Sequence, residues 1–260
     1  MAGPEVPGEG VHEVVRQVVR EVVPTEHAGG FVVRVGGHDQ SYVDLGDPTR
    51  LVFDYVRRMG DVVDALPAGA LRVVHVGGAG LTLPRYVAAT RPGTSQVVLE
   101  PDELLTALVR ERLPLPRGSG IKVRPVDGVS GVAALRDDHA HLLVLDAYDD
   151  GEVPADLLTA AFLGDVARVL APGGLVLVNL ADRAPFGRAR DVVARLRAAV
   201  GPVVLSAEPA TLRGRRPGNL LLVAGTTPPL EALRRSAATS AAPYRVLDPR
   251  QVSDSFGGGR

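Results

Sequence analysis

A glycine turn between two apolar segments is the part of this chain that points most directly to chemistry. The apolar residues 73–76 are followed by Gly-Gly-Ala-Gly at 77–80, and the next apolar segment, 96–99, ends on Glu100. Glycines let the backbone approach a ligand closely, and an acid about 20 residues further on suits the hydroxyl pair of a ribose. The pattern therefore predicts a nucleotide site. Its candidate ligand-binding residues are Gly77, Gly78, Gly80 and Glu100.

Further acids close the next two apolar segments. Asp127 and Gly128 follow one of them, and Asp146 follows the other, with Asp149 three residues later. Ligands of an open α/β sheet bind outside the carboxyl ends of the strands, so these acids are predicted to face one site. Structural roles stay open as well: Asp127 suits a helix N-cap, and Asp146 and Asp149 suit a turn.

The glycine turn and Glu100 also have structural interpretations. The glycines fit close packing of a helix on a strand, and Leu83 stands where the full G-x-G-x-x-G fingerprint needs a small residue. Glu100 precedes Pro101, a place where an acid favours the start of a helix. Ligand binding and structural packing are both compatible with these residues.

From residue 71 onward, apolar segments alternate with amphipathic ones. We predict strands at 71–77, 95–100, 121–126, 141–146, 173–180, 202–208 and 218–224. We predict helices at 82–90, 102–112, 128–136, 155–170 and 185–200. This alternation predicts an α/β protein with a seven-stranded, mostly parallel sheet and right-handed crossovers. A Pro/Gly/Arg loop joins the last two strands, which predicts an antiparallel pair at the sheet edge.

The N-terminal part is less regular. Residues 1–10 are rich in Pro, Gly and Glu, which predicts disorder. Valines in 11–24 recur at helical spacing, but valine is a poor helix former, so helix and strand both stay open. Two short strands at 31–35 and 41–45 predict a small β-rich region, followed by a helix over 51–66.

No strong periodicity follows Thr226, so a loose C-terminal tail is expected. The predicted division is a disordered start at 1–10, a small β/helical region at 11–60, a Rossmann-like domain at 61–228 and a C-terminal extension at 229–260.

Composition excludes several classes of function. A net charge of −1 over 260 residues offers no electrostatic basis for binding nucleic acid or an anionic membrane. The absence of cysteine excludes disulfides, thiolate metal sites and cysteine nucleophiles. The six histidines lack ligand spacing, so no metal is expected. No segment is long and apolar enough to span a bilayer and no signal-peptide pattern is present, so a cytoplasmic location is expected.

The motifs together resemble the spermidine synthase family, polyamine aminopropyltransferases that share the class I methyltransferase fold. The resemblance covers residues 40 to 224, approximately. It is carried by Gln40-Ser41, Asp54-Tyr55, Val-Gly-Gly-Ala-Gly at 76–80, Glu100, Asp127-Gly128 and Asp146-Ala147-Tyr148-Asp149.

The resemblance implies a Rossmann-like class I methyltransferase fold and transfer of an aminopropyl group from decarboxylated S-adenosylmethionine to an amine, releasing methylthioadenosine. Asp146 would orient and deprotonate the amine, with Asp149 and Tyr55 in the same catalytic set. The residues implied to bind the adenosyl co-substrate are Gln40, Gly77, Gly78, Gly80, Glu100, Asp127, Gly128 and Asp146. A homodimer built partly through the N-terminal strands is also implied.

Two departures from the family keep other functions open. The family motif Gly-Gly-Gly-Asp-Gly-Gly is replaced by Gly-Gly-Ala-Gly-Leu-Thr at 77–82, so the acid that would meet the co-substrate's amine is absent. The family's Pro-Thr-Tyr-Pro-type loop is replaced by residues 212–219, which contain Arg213, Arg215 and Arg216. Arginines facing the pocket would repel a diamine and favour an anionic group, such as the carboxylate of ordinary S-adenosylmethionine; a solvated loop is the alternative.

The functions that remain as alternatives are an S-adenosylmethionine-dependent methyltransferase, a transferase for an anionic acceptor, and a non-catalytic protein that binds an adenosyl nucleotide. A nicotinamide-dependent dehydrogenase would need a Tyr/Lys or His dyad at the strand ends, which the sequence lacks.

Overall fold

A computed structural model describes residues 18–149 and 151–256. The strands are β1 (Arg20–Pro24), β2 (Gly30–Val35), β3 (His38–Asp44), β4 (Arg72–Val76), β5 (Ser95–Leu99), β6 (Ile121–Arg124), β7 (Ala140–Leu145), β8 (Leu170–Asp182), β9 (Val203–Ala207), β10 (Gly218–Ala224) and β11 (Arg245–Leu247). The helices are α1 (Asp54–Asp64), α2 (Thr82–Thr90), α3 (Glu103–Arg112), α4 (Gly128–Ala133), α5 (Ala160–Val169), α6 (Gly187–Ala199), α7 (Pro209–Leu212), α8 (Leu230–Thr239) and α9 (Pro249–Phe256).

The large sheet has eight strands in the order β11-β9-β10-β8-β7-β4-β5-β6. Neighbours from β8 to β6 pair in parallel, whereas β10 pairs antiparallel with β8 and β9, and β11 pairs antiparallel with β9. The predicted α/β class and the antiparallel pairing of the last two predicted strands are confirmed. The predicted count of seven strands was wrong, because β11 adds an eighth and takes the edge position.

Helices cover both faces of this sheet, as expected for strands that are continuously apolar. One face packs against α1, α2 and α8 through residues that include Met59 and Val87. The other face packs against α4, α5, α6 and α9 through residues that include Leu163 and Leu196. Valine and leucine make up most of the core, since the chain has only ten phenylalanine and tyrosine residues together, five of each, and no tryptophan.

The N-terminal strands β1, β2 and β3 form a separate antiparallel sheet. Its buried residues Val33 and Val43 share a small core with Val98 of β5 and Leu105 of α3. The two short strands predicted in this region are confirmed. Packing against β5 places this sheet beside the end of the parallel strands, where the candidate site lies.

Several predictions concern the start of the chain. Of the segment 11–24, left open between helix and strand, Arg20–Pro24 is a strand. Residues 11–17 and the disordered start expected at 1–10 lie outside the described residues. The division predicted at residue 60 stays a proposal, and it falls inside α1, which packs against the large sheet.

The helix predicted over 155–170 was wrong in extent. A 3₁₀ turn occupies Ala155–Leu158, and α5 begins after Thr159, whose hydroxyl accepts a hydrogen bond from the Phe162 amide at 3.2 Å. A threonine N-cap of this kind starts a new helix and separates the two segments. At the other end, β8 begins at Leu170, earlier than predicted.

The C-terminal region differs from the loose tail predicted after Thr226. Helix α8 buries Leu233 on one face of the sheet, β11 joins the sheet edge, and α9 buries Val252 and Phe256 on the other face. These elements are short, and their packing partners are distant in sequence, so local periodicity did not reveal them. No helix within the described ranges has the length and apolar content needed to cross a bilayer.

A buried histidine is part of the sheet itself. His75 of β4 is 2% exposed, and its Nε2 lies 2.9 Å from Oε1 of Gln96 on β5. The Gln96 amide donates in turn to the Pro84 carbonyl at 2.9 Å. Burial lowers the pKa of His75 to about 4, despite the opposing bond from Gln96, so the ring is neutral in the folded protein at neutral pH.

We expect His75 to make the protein less stable as the pH falls. An unfolded histidine has a pKa of about 6.5, so the unfolded state binds more protons than the folded state between pH 6.5 and 4. Relative to a His75→Gln variant, the unfolding free energy should fall by about 3 kcal/mol between pH 7 and pH 4. Urea denaturation across this range measures the difference, and His38→Gln, at the exposed first residue of β3, is the control. Parallel curves for wild type and His75→Gln would contradict the assignment.

Candidate active site

The ends of β4 and β7 meet at a glycine. Gly77 has a φ of +84°, and a Cβ at this position would lie 2.5 Å from the carbonyl oxygen of Asp146. The Asp146 amide donates to the Val76 carbonyl at 3.0 Å, which fixes the two strand ends together. Close approach of backbone to backbone therefore explains why glycine stands here.

Glu100 braces the glycine turn. Its Oε2 accepts hydrogen bonds from the amides of Gly78 and Ala79 at 3.1 and 3.3 Å, and its Oε1 accepts one from Asp102 at 3.0 Å. Burial raises the pKa of this carboxyl group, and the three backbone bonds oppose the rise. A carboxylate offers about four acceptor positions, so about one is left for a ribose hydroxyl. The residues present thus fit an adenosyl group while also stabilising the turn.

The remaining glycine of the turn packs against the N-terminal sheet. A Cβ on Gly80 would lie 2.9 Å from the Ser41 side chain and 3.0 Å from Val33, and the Gly80 amide donates to Ser41 Oγ at 3.1 Å. Gln40, the neighbour of Ser41, is half-buried in β3 and has no pairing partner in β2, because the register shifts there. Gln40 is therefore the extra residue of a β-bulge next to Ser41, and its contact with a ligand stays a prediction.

Asp127 and Gly128 begin α4. Asp127 is the N-cap, with its Oδ1 accepting from the Ser130 amide at 2.8 Å, and this bond lowers the pKa of its carboxyl group. A Cβ on Gly128 would lie 2.4 Å from Val76 and 2.8 Å from Leu157. The structural roles of both residues are thus visible, and contact with an adenine stays a prediction.

Asp146 lies at the start of a polar chain that crosses the sheet. Its Oδ1 accepts a hydrogen bond from Nδ2 of Asn179 at 2.9 Å, and Oδ1 of Asn179 accepts one from Nδ2 of Asn219 at 3.0 Å. The hydroxyl of Tyr148 donates to the Asn179 carbonyl at 3.1 Å. The chain joins β7, β8 and β10 and holds the Asp146 carboxylate in one orientation.

The surroundings of Asp146 change its acidity. Burial raises its pKa to about 6, although the hydrogen bond from Asn179 acts in the opposite direction. Burial, followed by the charges of Asp146 and Tyr148, raises the pKa of Tyr55. Asp146 is therefore ionised at neutral pH and protonated below about pH 6, while Tyr55 stays a neutral hydroxyl beside it.

Asn179 and Asn219 were not among the site residues predicted from the sequence. Asn179 is 1% exposed and is the polar residue of an otherwise apolar segment of β8. A buried amide in such a segment needs partners, and this was the available signal. Asn219 is the last residue of the arginine-containing segment 212–219 and carried no signal of its own.

Asp149 lies apart from the Asp146 cluster. It is exposed and forms a backbone bridge with Glu152, with N–H···O distances of 2.8 and 3.0 Å. It lines a cavity of about 290 Å³ together with Arg188 and Arg195. The structure therefore brings Tyr55 to Asp146 but leaves Asp149 at a neighbouring cavity, and its predicted catalytic role stays untested.

The arginines at 213–216 face different surroundings. Arg216 pairs with Glu208 and lines a cavity next to α1, whereas Arg213 lines another cavity together with Arg190 and Arg245. Within residues 18–149 and 151–256, no group of three or more His, Asp or Glu side chains gathers in a way that would hold a metal ion.

No family model matches the chain. A polyamine aminopropyltransferase of Neisseria meningitidis is 24% identical over 144 residues, which is 54% of this chain and 53% of the relative. A crystal structure of a probable spermidine synthase from Corynebacterium glutamicum superposes with a TM-score of 0.86 at 26% identity, over 98% of this chain and 96% of that one. The chain is related to the spermidine synthases.

The methyltransferase-like fold is confirmed as well. The human methyltransferase-like protein 13 superposes with a TM-score of 0.51 at 22% identity, over 71% of this chain and 88% of that one, a likeness that concerns the fold alone. The chain spans about half the length of the curated relatives that it matches. The likeness to the probable spermidine synthase thus covers nearly the whole fold, whereas the likeness to the curated aminopropyltransferases covers about half of each sequence.

We expect Asn179 to keep the pKa of Asp146 near 6. In Asn179→Leu the neutral donor is lost, and the pKa of Asp146 should rise by about 1–2 units, since a hydrogen bond to a charged group contributes about 1.5–3 kcal/mol. Carboxyl ¹³C NMR titration measures this pKa. Asn219→Leu, which touches Asp146 only through Asn179, should give a smaller rise. An unchanged pKa in Asn179→Leu would contradict the role of the amide.

We expect Glu100→Ala to lower both stability and ligand affinity. The variant leaves the amides of Gly78 and Ala79 without an acceptor, which should lower the unfolding free energy by about 1–3 kcal/mol. Binding of methylthioadenosine should weaken by a similar amount, as measured by calorimetry. Glu103→Ala on the exposed start of α3 is the control. Stability equal to that of the control would show that Glu100 does not brace the turn.

Proposed function

We propose that this chain transfers an aminopropyl group from decarboxylated S-adenosylmethionine to an amine acceptor. The observation that carries the proposal is Asp146, a half-buried carboxyl group at the end of β7 with a pKa of about 6, held by Asn179 and facing Tyr55. The likeness to polyamine aminopropyltransferases and to a probable spermidine synthase supports the same activity.

In the proposed reaction, Asp146 acts as the base. The nitrogen lone pair of the acceptor attacks the propyl carbon next to the sulfonium, the carbon–sulfur bond breaks, and its electrons neutralise the sulfur of the departing methylthioadenosine. An acceptor that binds as an ammonium first gives a proton to the Asp146 carboxylate, which frees this lone pair for the attack. An ionised carboxylate attracts a cationic amine and, with a pKa of about 6, accepts a proton more readily than an ordinary aspartate.

The donor is proposed to bind along the ends of β4, β5 and β6. Glu100 would bind the ribose through its remaining acceptor position, and Asp127 would lie near the adenine. The other proposed binding residues are Gln40, Gly77, Gly78, Gly80 and Gly128. For all of these residues except Gln40, which belongs to β3, the assignment is supported by their position at the ends of β4, β5 and β6, since ligands of open α/β sheets bind there.

A second candidate is a transferase that uses ordinary S-adenosylmethionine, including a methyltransferase. The observation that favours it is the sequence at 77–82, which lacks the acid that the family's glycine motif would present to the co-substrate's amine. The homodimer is a proposal that rests on the family resemblance, and the cytoplasmic location is a proposal that rests on the sequence.

Binding and turnover together test the proposal. Calorimetry with decarboxylated S-adenosylmethionine, S-adenosylmethionine, methylthioadenosine and NAD ranks the co-substrates, and we expect the decarboxylated form to bind more tightly than the carboxylated one. Asp146→Asn should reduce turnover at least 100-fold while leaving methylthioadenosine binding largely intact, since a general base contributes about 10²–10⁴ in rate. Asp191→Asn, at an exposed position of α6, is the control. Preference for the carboxylated donor, or full activity of Asp146→Asn, would contradict the proposal.

A further inference from the structure

A cavity of about 420 Å³ lies at the outer edge of the large sheet, away from the candidate active site. It is enclosed by the start of α6, by α7 and the residue after it, by β11 and by the end of α9. Strands β9 and β11 are the last two of the sheet on this side, whereas the glycine turn and Glu100 follow β4 and β5, across β10, β8 and β7. The cavity shares no lining residue with the Asp146 cluster, so a ligand bound in it is additional to the proposed substrates.

Three arginines from different elements line this cavity. Arg190 lies in the first turn of α6, Arg213 follows α7, and Arg245 begins β11. All three are exposed, and none forms an ion pair within residues 18–149 and 151–256. The Arg190 Nε donates to the Pro185 carbonyl at 3.1 Å, and both of its Nη groups lack a partner among the described residues. The three guanidinium groups can therefore bind a ligand without breaking an ion pair of the described structure.

No carboxylate lines the cavity, and the acids next to its lining residues are bonded elsewhere. Glu208, which precedes α7, pairs with Arg216, and Asp248, which follows β11, pairs with Arg234 at 3.1 Å. Both carboxylate oxygens of Asp182, which ends β8, accept hydrogen bonds from backbone amides, at 2.7 and 2.8 Å. These three acids therefore have partners other than the arginines of the cavity.

The remaining charges near the cavity are exposed and balance one another. Asp191 of α6 and Asp254 of α9 lie outside the lining, where water screens their charge, and Arg183 and Arg215 are equally exposed. The loops that carry these two arginines meet beside the cavity, because a Cβ on Gly214 would lie 3.0 Å from the Ala184 side chain. The carbonyl groups at the end of α9 add about half a negative charge. The lining thus keeps a surplus of about two positive charges.

The base of the cavity is apolar. Phe186 and Phe256 are buried, with their ring centroids 5.5 Å apart, and the half-buried Leu212 and Leu247 border them. Phe186 adopts a left-handed backbone conformation, with a φ of +62°, which is unfavourable for a residue that has a Cβ. Such conformations persist where the surrounding structure fixes them, and they are common at ligand sites. Exposed guanidinium groups above an apolar base suit a ligand with an anionic end and an apolar body.

The number of guanidinium groups indicates the kind of anion. A phosphate monoester carries nearly two negative charges and three acceptor oxygens, whereas a carboxylate carries one charge and two oxygens. Guanidinium groups form paired hydrogen bonds with phosphate oxygens, so three of them complement a phosphate better than a carboxylate. A volume of about 420 Å³ falls within the range of about 300–1,000 Å³ that small-molecule sites occupy, which leaves room for an organic body beside the phosphate.

We propose that this cavity binds a small organic phosphate. Arg190, Arg213 and Arg245 bind the phosphate group, and the apolar base bordered by Leu212 and Leu247 contacts the organic body. The proposal does not depend on aminopropyl transfer, because none of these residues belongs to the proposed active site.

Four matched probes test the ligand class by calorimetry: phenyl phosphate, benzoate, phenol and inorganic phosphate. Methylthioadenosine is present throughout, to occupy the proposed adenosyl site. We expect the Kd of phenyl phosphate to be at least about 10-fold below that of each other probe, because it alone combines a doubly charged phosphate with an apolar ring. Vesicles that contain phosphatidic acid are a further probe, which distinguishes a lipid headgroup from a soluble phosphate.

Matched variants test the residues. Arg213→Gln and Arg245→Gln should each raise the Kd of phenyl phosphate about 10-fold, since each removes hydrogen bonds between charged groups. Arg215→Gln is the control, because it removes an exposed arginine of the same loop that does not line the cavity, and its Kd should match the wild type. Leu212→Ala should weaken the binding of phenyl phosphate several-fold and leave that of inorganic phosphate unchanged. Circular dichroism checks that each variant is folded.

The contrary outcomes are distinct. Equal affinity for phenyl phosphate and inorganic phosphate would overturn the organic ligand, and equal affinity for benzoate would overturn the preference for phosphate. Binding to the vesicles without binding of phenyl phosphate would assign the arginines to a lipid surface and overturn the proposal. The same affinity in wild type, Arg213→Gln and Arg245→Gln, or no binding at all, would show that the cavity does not hold a phosphate. A failure of aminopropyl transfer would leave all of these results unaffected.

Discussion

The candidate site depends on close contact between the glycine turn after β4 and the backbone at the end of β7. A side chain on Gly77 would collide with the Asp146 carbonyl, so only glycine lets the two strand ends meet. Glu100 fixes the turn from the other side by accepting two of its amides. The proposed adenosyl-binding residues and the proposed base therefore share one rigid edge of the sheet, which suits a reaction that requires two substrates to be aligned.

The polar chain behind Asp146 orients its carboxylate without neutralising it. Asn179 and Asn219 are neutral amides, and each satisfies the other within an apolar sheet, which removes much of the cost of burying them. An arginine or lysine in place of Asn179 would stabilise the ionised form and lower the pKa of Asp146. A neutral donor leaves the pKa raised by burial, and a raised pKa is what a proton acceptor at neutral pH needs.

A second buried charge lies away from Asp146, at Arg58 of α1. Burial lowers the pKa of Arg58, and the carboxylate of Glu208 is the largest opposing influence, yet Glu208 is bonded to Arg216. Helix α1 thus carries two buried groups in different surroundings: Tyr55 lies near Asp146, and Arg58 lies against the Tyr244 ring.

The sequence by itself determined the α/β class, most strand and helix positions and the strand-end acids, because periodicity and glycine turns are local signals. Tertiary structure decided the rest. β11 and α9 are stabilised by distant partners, and Glu100 proved to brace the turn as well as to end a strand. Asn179 bonds to Asp146 across 33 residues, and Arg58 bonds to Ser206 across 148. Such pairs depend on the strand order of the folded sheet, which no local pattern specifies.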